Sequence, residues 1–278
     1  MKIAVIGLGL IGGSICRAIK AYTGHTVLGM DIDEQTRQSA LSSGAVDKII
    51  TTDELDEADL TAVCLYPMLT IDFIEKYASA FRKDTIVIDV CGIKTKIMEK
   101  CEPLLESKGI TFIGTHPMAG REFSGFDYSK AELFEGASFI ITPGENTPQH
   151  ALFVVSMLAE QLRFGKIVET TSKDHDRIIA FTSQLAHIVS NAYIKSPSLK
   201  FQRGFSAGSF LDLTRVAKLN ENMWASLFML NKDALLYEIN TILEHLNDYK
   251  SALENNDLER LRNALREGSQ LKEESLQS

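Results

Sequence analysis

Val5-Ile6-Gly7-Leu8-Gly9-Leu10-Ile11-Gly12-Gly13-Ser14 carries the first signal of architecture in this chain. The segment follows an apolar run, Lys2–Ile6, and opens a stretch with helical periodicity. In that context each glycine has its own duty. Gly7 permits a tight turn, Gly9 lets backbone approach a pyrophosphate, and Gly12 lets a helix pack closely on a strand. The phosphates are expected over the helix N-terminus, beside Leu8, Leu10 and Ile11, where free N–H groups and the helix dipole favour anions. Asp31 ends the next apolar run, 19 positions after Gly12. A carboxylate there accepts from a ribose 2′-hydroxyl and repels a 2′-phosphate, which predicts NAD in preference to NADP. Asp33 is the second candidate for that ribose.

Outward from this loop, short β-branched runs alternate with amphipathic stretches. The runs are Lys2–Ile6, Thr26–Met30, Thr61–Leu65, Thr85–Val90, Thr111–Gly114, Ser138–Thr142 and Lys166–Thr170. Several are apolar throughout, as strands buried on both faces of a parallel sheet should be. The stretches Glu34–Ser43 and Ile71–Phe81 are long enough for crossover helices. Together they predict an α/β, Rossmann-type doubly wound sheet over residues 1–170. Leu65 and Pro67, near the end of the third run, and Gly92, after the fourth, complete the expected cofactor set. From 171 to 278 the pattern becomes helical throughout: Ile178, Phe181, Leu185, Ile188 and Ala192 recur at helical spacing, and later leucines do the same. Asn255-Asn256-Asp257 reads as a break and cap between two helices. The second part is therefore expected to be an all-α domain, and its excess of apolar positions predicts a homodimer.

Composition narrows the function classes. The chain has 278 residues, is 45% hydrophobic and 24% charged, and carries a net charge of −8. That excludes a disordered or fibrous chain and disfavours nucleic acid as a partner. Four cysteines (Cys16, Cys64, Cys91, Cys101) show neither a CxxC pair nor zinc spacing, so no metal is expected and reduced thiols in a cytoplasm are. The glycines of the apolar N-terminus and the lack of a small-residue cleavage site argue against a signal peptide. No apolar stretch is long enough to span a membrane.

Two further regions carry chemistry. The run Thr111–Gly114 leads into Thr115-His116-Pro117, where the proline restrains His116 to extended backbone at the sheet edge that binds ligands in this architecture. A histidine there suits proton transfer near neutral pH. In the helical part, Ser183, His187 and Asn191 are spaced by four and form a polar stripe. Asp212 and Arg215 are placed on one face at a helix start, where the guanidinium could hold a carboxylate through two hydrogen bonds.

Taken together, GLGLIGGS at the N-terminus, DVCGIK at 89–94, GTHPMAGREFSG at 114–125, TSQLAH at 182–187 and LDLTRVA at 211–217 followed by Met223-Trp224 resemble the arogenate/prephenate dehydrogenase family. The resemblance implies oxidative decarboxylation of prephenate to 4-hydroxyphenylpyruvate with NAD as hydride acceptor, by an intertwined homodimer. It makes His116 the catalytic base at the substrate hydroxyl, Arg215 the carboxylate clamp and His187 a pocket histidine. Glu122, Ser124, Asp176 and Asp212 then shape or gate the substrate site, with Trp224 nearby, and Lys94 and Arg121 stand as auxiliary cations. The family often has a serine where this chain has Gly92, and a second histidine where it has Gln184. No regulatory or mutase segment is expected at either end.

Three rivals differ by identifiable features. Arogenate carries an amine where prephenate carries a keto group, and no residue decides between them. A β-hydroxyacid dehydrogenase would resemble a pattern with a lysine inside the interdomain helix, which 174–195 lacks. A non-catalytic NAD sensor would have no need of His116 and Arg215 in matched motifs.

Overall fold

The computed structural model describes residues 1–120 and 123–277. Its centre is an eight-stranded sheet of β1 (Lys2–Ile6), β2 (Thr26–Met30), β3 (Lys48–Ile49), β4 (Leu60–Val63), β5 (Ile86–Asp89), β6 (Thr111–Pro117), β7 (Ser138–Thr142) and β8 (Lys166–Glu169). The spatial order is β3-β2-β1-β4-β5-β6-β7-β8. Every neighbouring pair is parallel except β6 and β7, which run antiparallel. The crossover helices are α1 (Leu10–Tyr22), α2 (Glu34–Ser42), α3 (Pro67–Tyr77), α4 (Thr95–Glu106) and α5 (Gln149–Gln161).

Both faces of the sheet are covered, which explains the unbroken apolar runs. Ile3 and Val5 of β1 join one core cluster, with Ile15 and Ile19 of α1; Ala4 and Ile6 join the other, with Ile74 of α3 and Ile97 of α4. Two local departures from the sequence reading have clear causes. The third helix begins at Pro67, not near Ile71, because a proline at the first helical position is pre-set for helix and gives up an N–H that has no partner there. The sixth strand runs past Gly114 through His116 to Pro117, because β7 arrives antiparallel and pairs His116 with Ile140 and Pro117 with Phe139.

The chain divides into two compact units. The first takes Met1–Ile179 together with Asn220–Leu230, and the second takes Ala180–Leu219 and the chain from Asn231 onward. The first unit therefore includes α6 (Ser172–Ile179) and α9 (Glu221–Leu230), whose Leu227 and Leu230 pack on the core beside α3 and α4. The second unit holds a π-helical turn (Ala180–Leu185), α7 (Ala186–Tyr193), α8 (Gly208–Thr214), α10 (Lys232–Glu254) and α11 (Leu258–Ser275). Asn255 ends α10, Asn256 adopts a left-handed φ of 52°, and the Asp257 carboxylate caps α11 by accepting from Arg260 N. The helical run read as continuous from 174 to 195 is interrupted by the π-turn, which shifts the face that each side chain presents. Phe181 and Leu246, both on the apolar helical repeats, are 60% and 55% exposed in the single chain. None of the described helices is long and apolar enough to cross a membrane.

Candidate active site

The glycine loop is built as its sequence requires. Gly7 has φ +89°, and a Cβ there would meet the Cys64 carbonyl oxygen at 2.6 Å. At Gly12 a Cβ would lie 1.9 Å from the Gly7 carbonyl oxygen, so only glycine lets α1 settle against β1 and β4. Among the described residues beyond its own local backbone, Gly9 has no atom within 4 Å of an added Cβ, which leaves open space above the start of α1. No acidic side chain stands in the first turn of that helix. Asp31 closes the loop from β2: Oδ2 accepts from Leu8 N at 2.7 Å, and Oδ1 from Asp33 N at 2.9 Å. Asp33 is occupied elsewhere, capping α2 by accepting from Thr36 N. Leu8 is buried in the core, while Leu10, Ile11, Leu65 and Gly92 are half-buried and Pro67 is buried.

Beside β5 and β6 lies a chain of three titratable groups. His116 Nδ1 is 2.9 Å from His175 Nε2, and His175 Nδ1 is 2.7 Å from Asp176 Oδ1. Asp176 also accepts from the backbone N–H groups of Lys94 and Thr95, at 2.7 and 2.8 Å, and so holds the start of α4. The other ring nitrogen of His116, Nε2, has no hydrogen-bond partner among the described residues; a Cβ added at Gly92 would lie 3.8 Å from it. Burial first, then the neighbouring His175 and Lys94, hold His116 well below the ordinary histidine range, so it is neutral. Burial lowers His175 as well. For Asp176 burial alone would raise the carboxyl, but hydrogen bonds from His175, Thr95 and Lys94 outweigh it and keep the group ionised.

A second buried pair underlies this chain. Lys94 Nζ bonds the Asp89 carboxylate and the Thr115 carbonyl oxygen, with both charged side chains fully enclosed. Lys94 is therefore structural and not an auxiliary substrate cation. Asp176 likewise departs from its expected place on the substrate: it is buried, and its oxygens are engaged by His175 and two backbone donors.

The first unit thus brings together His116, Gly92, Asp176 and the unpredicted His175. Trp224 belongs to the same unit, half-buried on α9 with its ring 5.3 Å from that of Phe228. His187, Asp212 and Arg215 belong to the second. There, His187 Nδ1 donates to the Ser183 carbonyl oxygen at 2.8 Å, and Gln184 is buried, accepting from Asn231 Nδ2. Asp212 and Arg215 stand at the end of α8 instead of its start; both are exposed, and Arg215 makes no ion pair among the described residues. Ser124 is exposed. Glu122 and Arg121 lie outside the described residues. His175 escaped sequence reading because no spacing rule flags it; its adjacency to Asp176 was the available signal.

Known proteins match both parts of the chain. Residues 15–168 match the family model for the prephenate dehydrogenase nucleotide-binding domain, and residues 171–267 that for its dimerization domain. A prephenate dehydrogenase of Bacillus subtilis is 31% identical across 93% of this chain and 72% of its own length. Among solved structures, arogenate dehydrogenase of Synechocystis superposes with a TM-score of 0.86 at 29% identity, covering 99% of this chain and 100% of that one. Prephenate dehydrogenase of A. aeolicus, in complex with hydroxyphenyl propionate and NAD+, gives a TM-score of 0.87 at 25% identity over 99% and 98% of the two chains. With a nucleotide-binding part and a dimerization part matched in the same order along the sequence, this chain belongs to the prephenate dehydrogenase family.

Proposed function

We propose that this protein oxidatively decarboxylates prephenate to 4-hydroxyphenylpyruvate with NAD, in a homodimer, with residues 1–170 serving the cofactor and 171–278 the substrate and the dimer contact. The observation that carries the reading is His116: a neutral imidazole whose Nε2 faces the space at Gly92, on the sheet edge that also carries the glycine loop. The open space at Gly9, the uncapped start of α1 and the braced Asp31 carboxylate fit a dinucleotide with a free 2′-hydroxyl. Gly7, Leu8, Gly9, Leu10, Ile11, Gly12, Asp31, Leu65, Pro67 and Gly92 would hold it, and bound NAD supplies the hydride acceptor.

His116 Nε2 takes the proton of the ring hydroxyl as the hydrogen on the same carbon leaves with its electron pair. The ring carboxylate then departs as carbon dioxide, its bonding electrons complete the aromatic ring, and His116 returns the proton to the phenolic oxygen. Aromatisation supplies much of the driving force, so orientation and one base are the main demands on the protein. Arg215 serves as the carboxylate clamp, with His187, Asp212, Trp224, Ser124 and Glu122 around the substrate. Asp176 acts through His175.

The likeness to an arogenate dehydrogenase makes arogenate the second substrate to test. Purified protein with NAD is given prephenate or arogenate while reduced cofactor is followed by absorbance. Turnover of prephenate is expected, and turnover of neither sinks the proposal. His116→Asn should lower kcat by ~10²–10⁴-fold with NAD affinity intact. Because the base must be neutral and its pKa is depressed, the wild-type rate should hold as pH falls through the ordinary histidine range and drop only below it.

A further inference from the structure

We propose that Asp176 and His175 fix the tautomer of His116, placing the hydrogen on Nδ1 and the lone pair on Nε2, so that His175 is a positioning residue for the reaction. The proposal rests on His116 being the base. An ionised carboxylate only accepts hydrogen bonds, so the 2.7 Å contact requires the hydrogen on His175 Nδ1. A neutral His175 then has its lone pair on Nε2, and the 2.9 Å contact requires His116 Nδ1 to carry a hydrogen. A neutral His116 has one ring hydrogen, so Nε2 is left bare toward Gly92. A neutral histidine side chain free in water prefers the opposite tautomer, with its hydrogen on Nε2. The chain of contacts reverses that preference and has the same logic as the carboxylate behind a catalytic histidine in a hydrolase triad.

The arrangement is held from three elements. Asp176 and His175 come from α6, His116 from β6, and the start of α4 pins the carboxylate through Lys94 N and Thr95 N. Among the described residues, the charged groups facing the pair are Asp176, Lys94 and Asp89. The Lys94 ammonium is turned away to Asp89 and the Thr115 carbonyl, so it opposes protonation of the imidazoles without competing for their nitrogens. When His116 Nε2 gains the substrate proton, its Nδ1–H still finds an acceptor, and the new positive charge faces Asp176 across one ring.

The tautomer is read directly by 15N spectra of histidine-labelled full-length protein without substrate, in which protonated and bare ring nitrogens have well separated shifts. The signals lost in His116→Asn assign His116. The expected pattern is a protonated Nδ1 and a bare Nε2; a protonated Nε2 overturns the proposal. Kinetics supply a second arm. His175→Gln keeps an acceptor for the His116 Nδ1–H, whereas His175→Phe keeps only the shape. His175→Phe should lose roughly 10²-fold in kcat, at the lower end of what a positioned base contributes, with both KM values unchanged. His175→Gln should recover most of that loss. Equal losses in the two variants, or losses confined to KM, overturn the proposal. If His175→Phe fails to fold, the wild-type spectra decide. They also decide if the wild type turns over neither prephenate nor arogenate, a result that refutes the functional reading alone.

Discussion

Gly9 and Gly12 lie in one loop, yet the same added methyl should act oppositely at the two positions. At Gly12 the Cβ would stand 1.9 Å from the Gly7 carbonyl oxygen and 3.1 Å from Cys64 Cβ. The Gly7 backbone cannot swing away freely, because its N–H donates to Met30 O at 2.8 Å. Overpacking relieved by side chains costs about 1–3 kcal/mol, and a clash with main chain belongs at the upper end. At about 2–4 °C per kcal/mol, Gly12→Ala should melt roughly 6–12 °C below the wild type. At Gly9 the space is empty and the backbone is extended, with φ −69° and ψ −155°. Alanine there gains about 0.4–1 kcal/mol by restricting the unfolded chain and loses a similar amount as a poorer helix cap. The net change in stability should stay within about 1 kcal/mol.

NAD binding should show the reverse. The methyl at residue 9 would occupy the space the pyrophosphate needs, and an overpacking penalty of about 1–3 kcal/mol corresponds to roughly 5–150-fold weaker binding. Thermal melting and calorimetric titration with NAD, run on both variants, separate the two effects. Wild-type affinity in Gly9→Ala would refute the loop as the cofactor cradle. A melting point as low as that of Gly12→Ala would refute the reading of Gly9 as open space.

Three other expectations follow from the same geometry. Asp31→Ser should relax the preference for NAD over NADP, measured as the ratio of kcat/KM values, because it removes the repulsion of a 2′-phosphate while Arg37 stays bonded to the residue 31 carbonyl oxygen. Arg215→Ala should raise KM for prephenate at least tenfold, about 1.4 kcal/mol, with Arg215→Lys recovering part of it and KM for NAD unmoved. An equal loss of NAD affinity would make Arg215 structural. Sedimentation at micromolar concentration should show a dimer and no 30.8 kDa species, since Leu243, Leu246, Leu253 and Leu265 stay exposed in the single chain; an active monomer would refute it.

The sheet was legible because its signals are local. Apolar runs such as Ile3–Ile6 and Ile86–Ile88 report burial on two faces, and the glycine spacing reports one turn. The edge strand Lys48–Ile49 was missed, since two residues give no period to read. The site was half legible. His116 announces itself through its proline and its place after a strand, but its partner is 59 residues away, and only packing of α6 against α4 brings them together. The π-turn was invisible because Ala180–Leu185 has ordinary helical composition, so nothing in its residues marks the wider turn. Phe181, 60% exposed in the single chain, lies in the part that matches the dimerization domain.

Lys94 shows how a cation near the chemistry can be unavailable to a substrate. Its side chain is fully buried, and it neutralises Asp89, whose carboxylate also accepts from Cys91 N at 2.9 Å and Thr115 N at 3.3 Å. Removing the lysine would leave that carboxylate with two backbone donors and no counter-charge, a change that costs about 3–5 kcal/mol when one partner of a buried pair is deleted. The same stretch carries Gly92 beside His116, and its backbone N–H groups at 94 and 95 hold Asp176. A Lys94 variant should therefore lose activity by loosening the frame of His116, the proposed base, and it should lose stability with it. A true clamp differs in its signature: KM for the substrate moves while the melting point does not. In a chain of net charge −8, a dianion must be attracted by cations that are not already spent inside the fold. Arg215, exposed and without an ion pair among the described residues, meets that condition, and Lys94 does not.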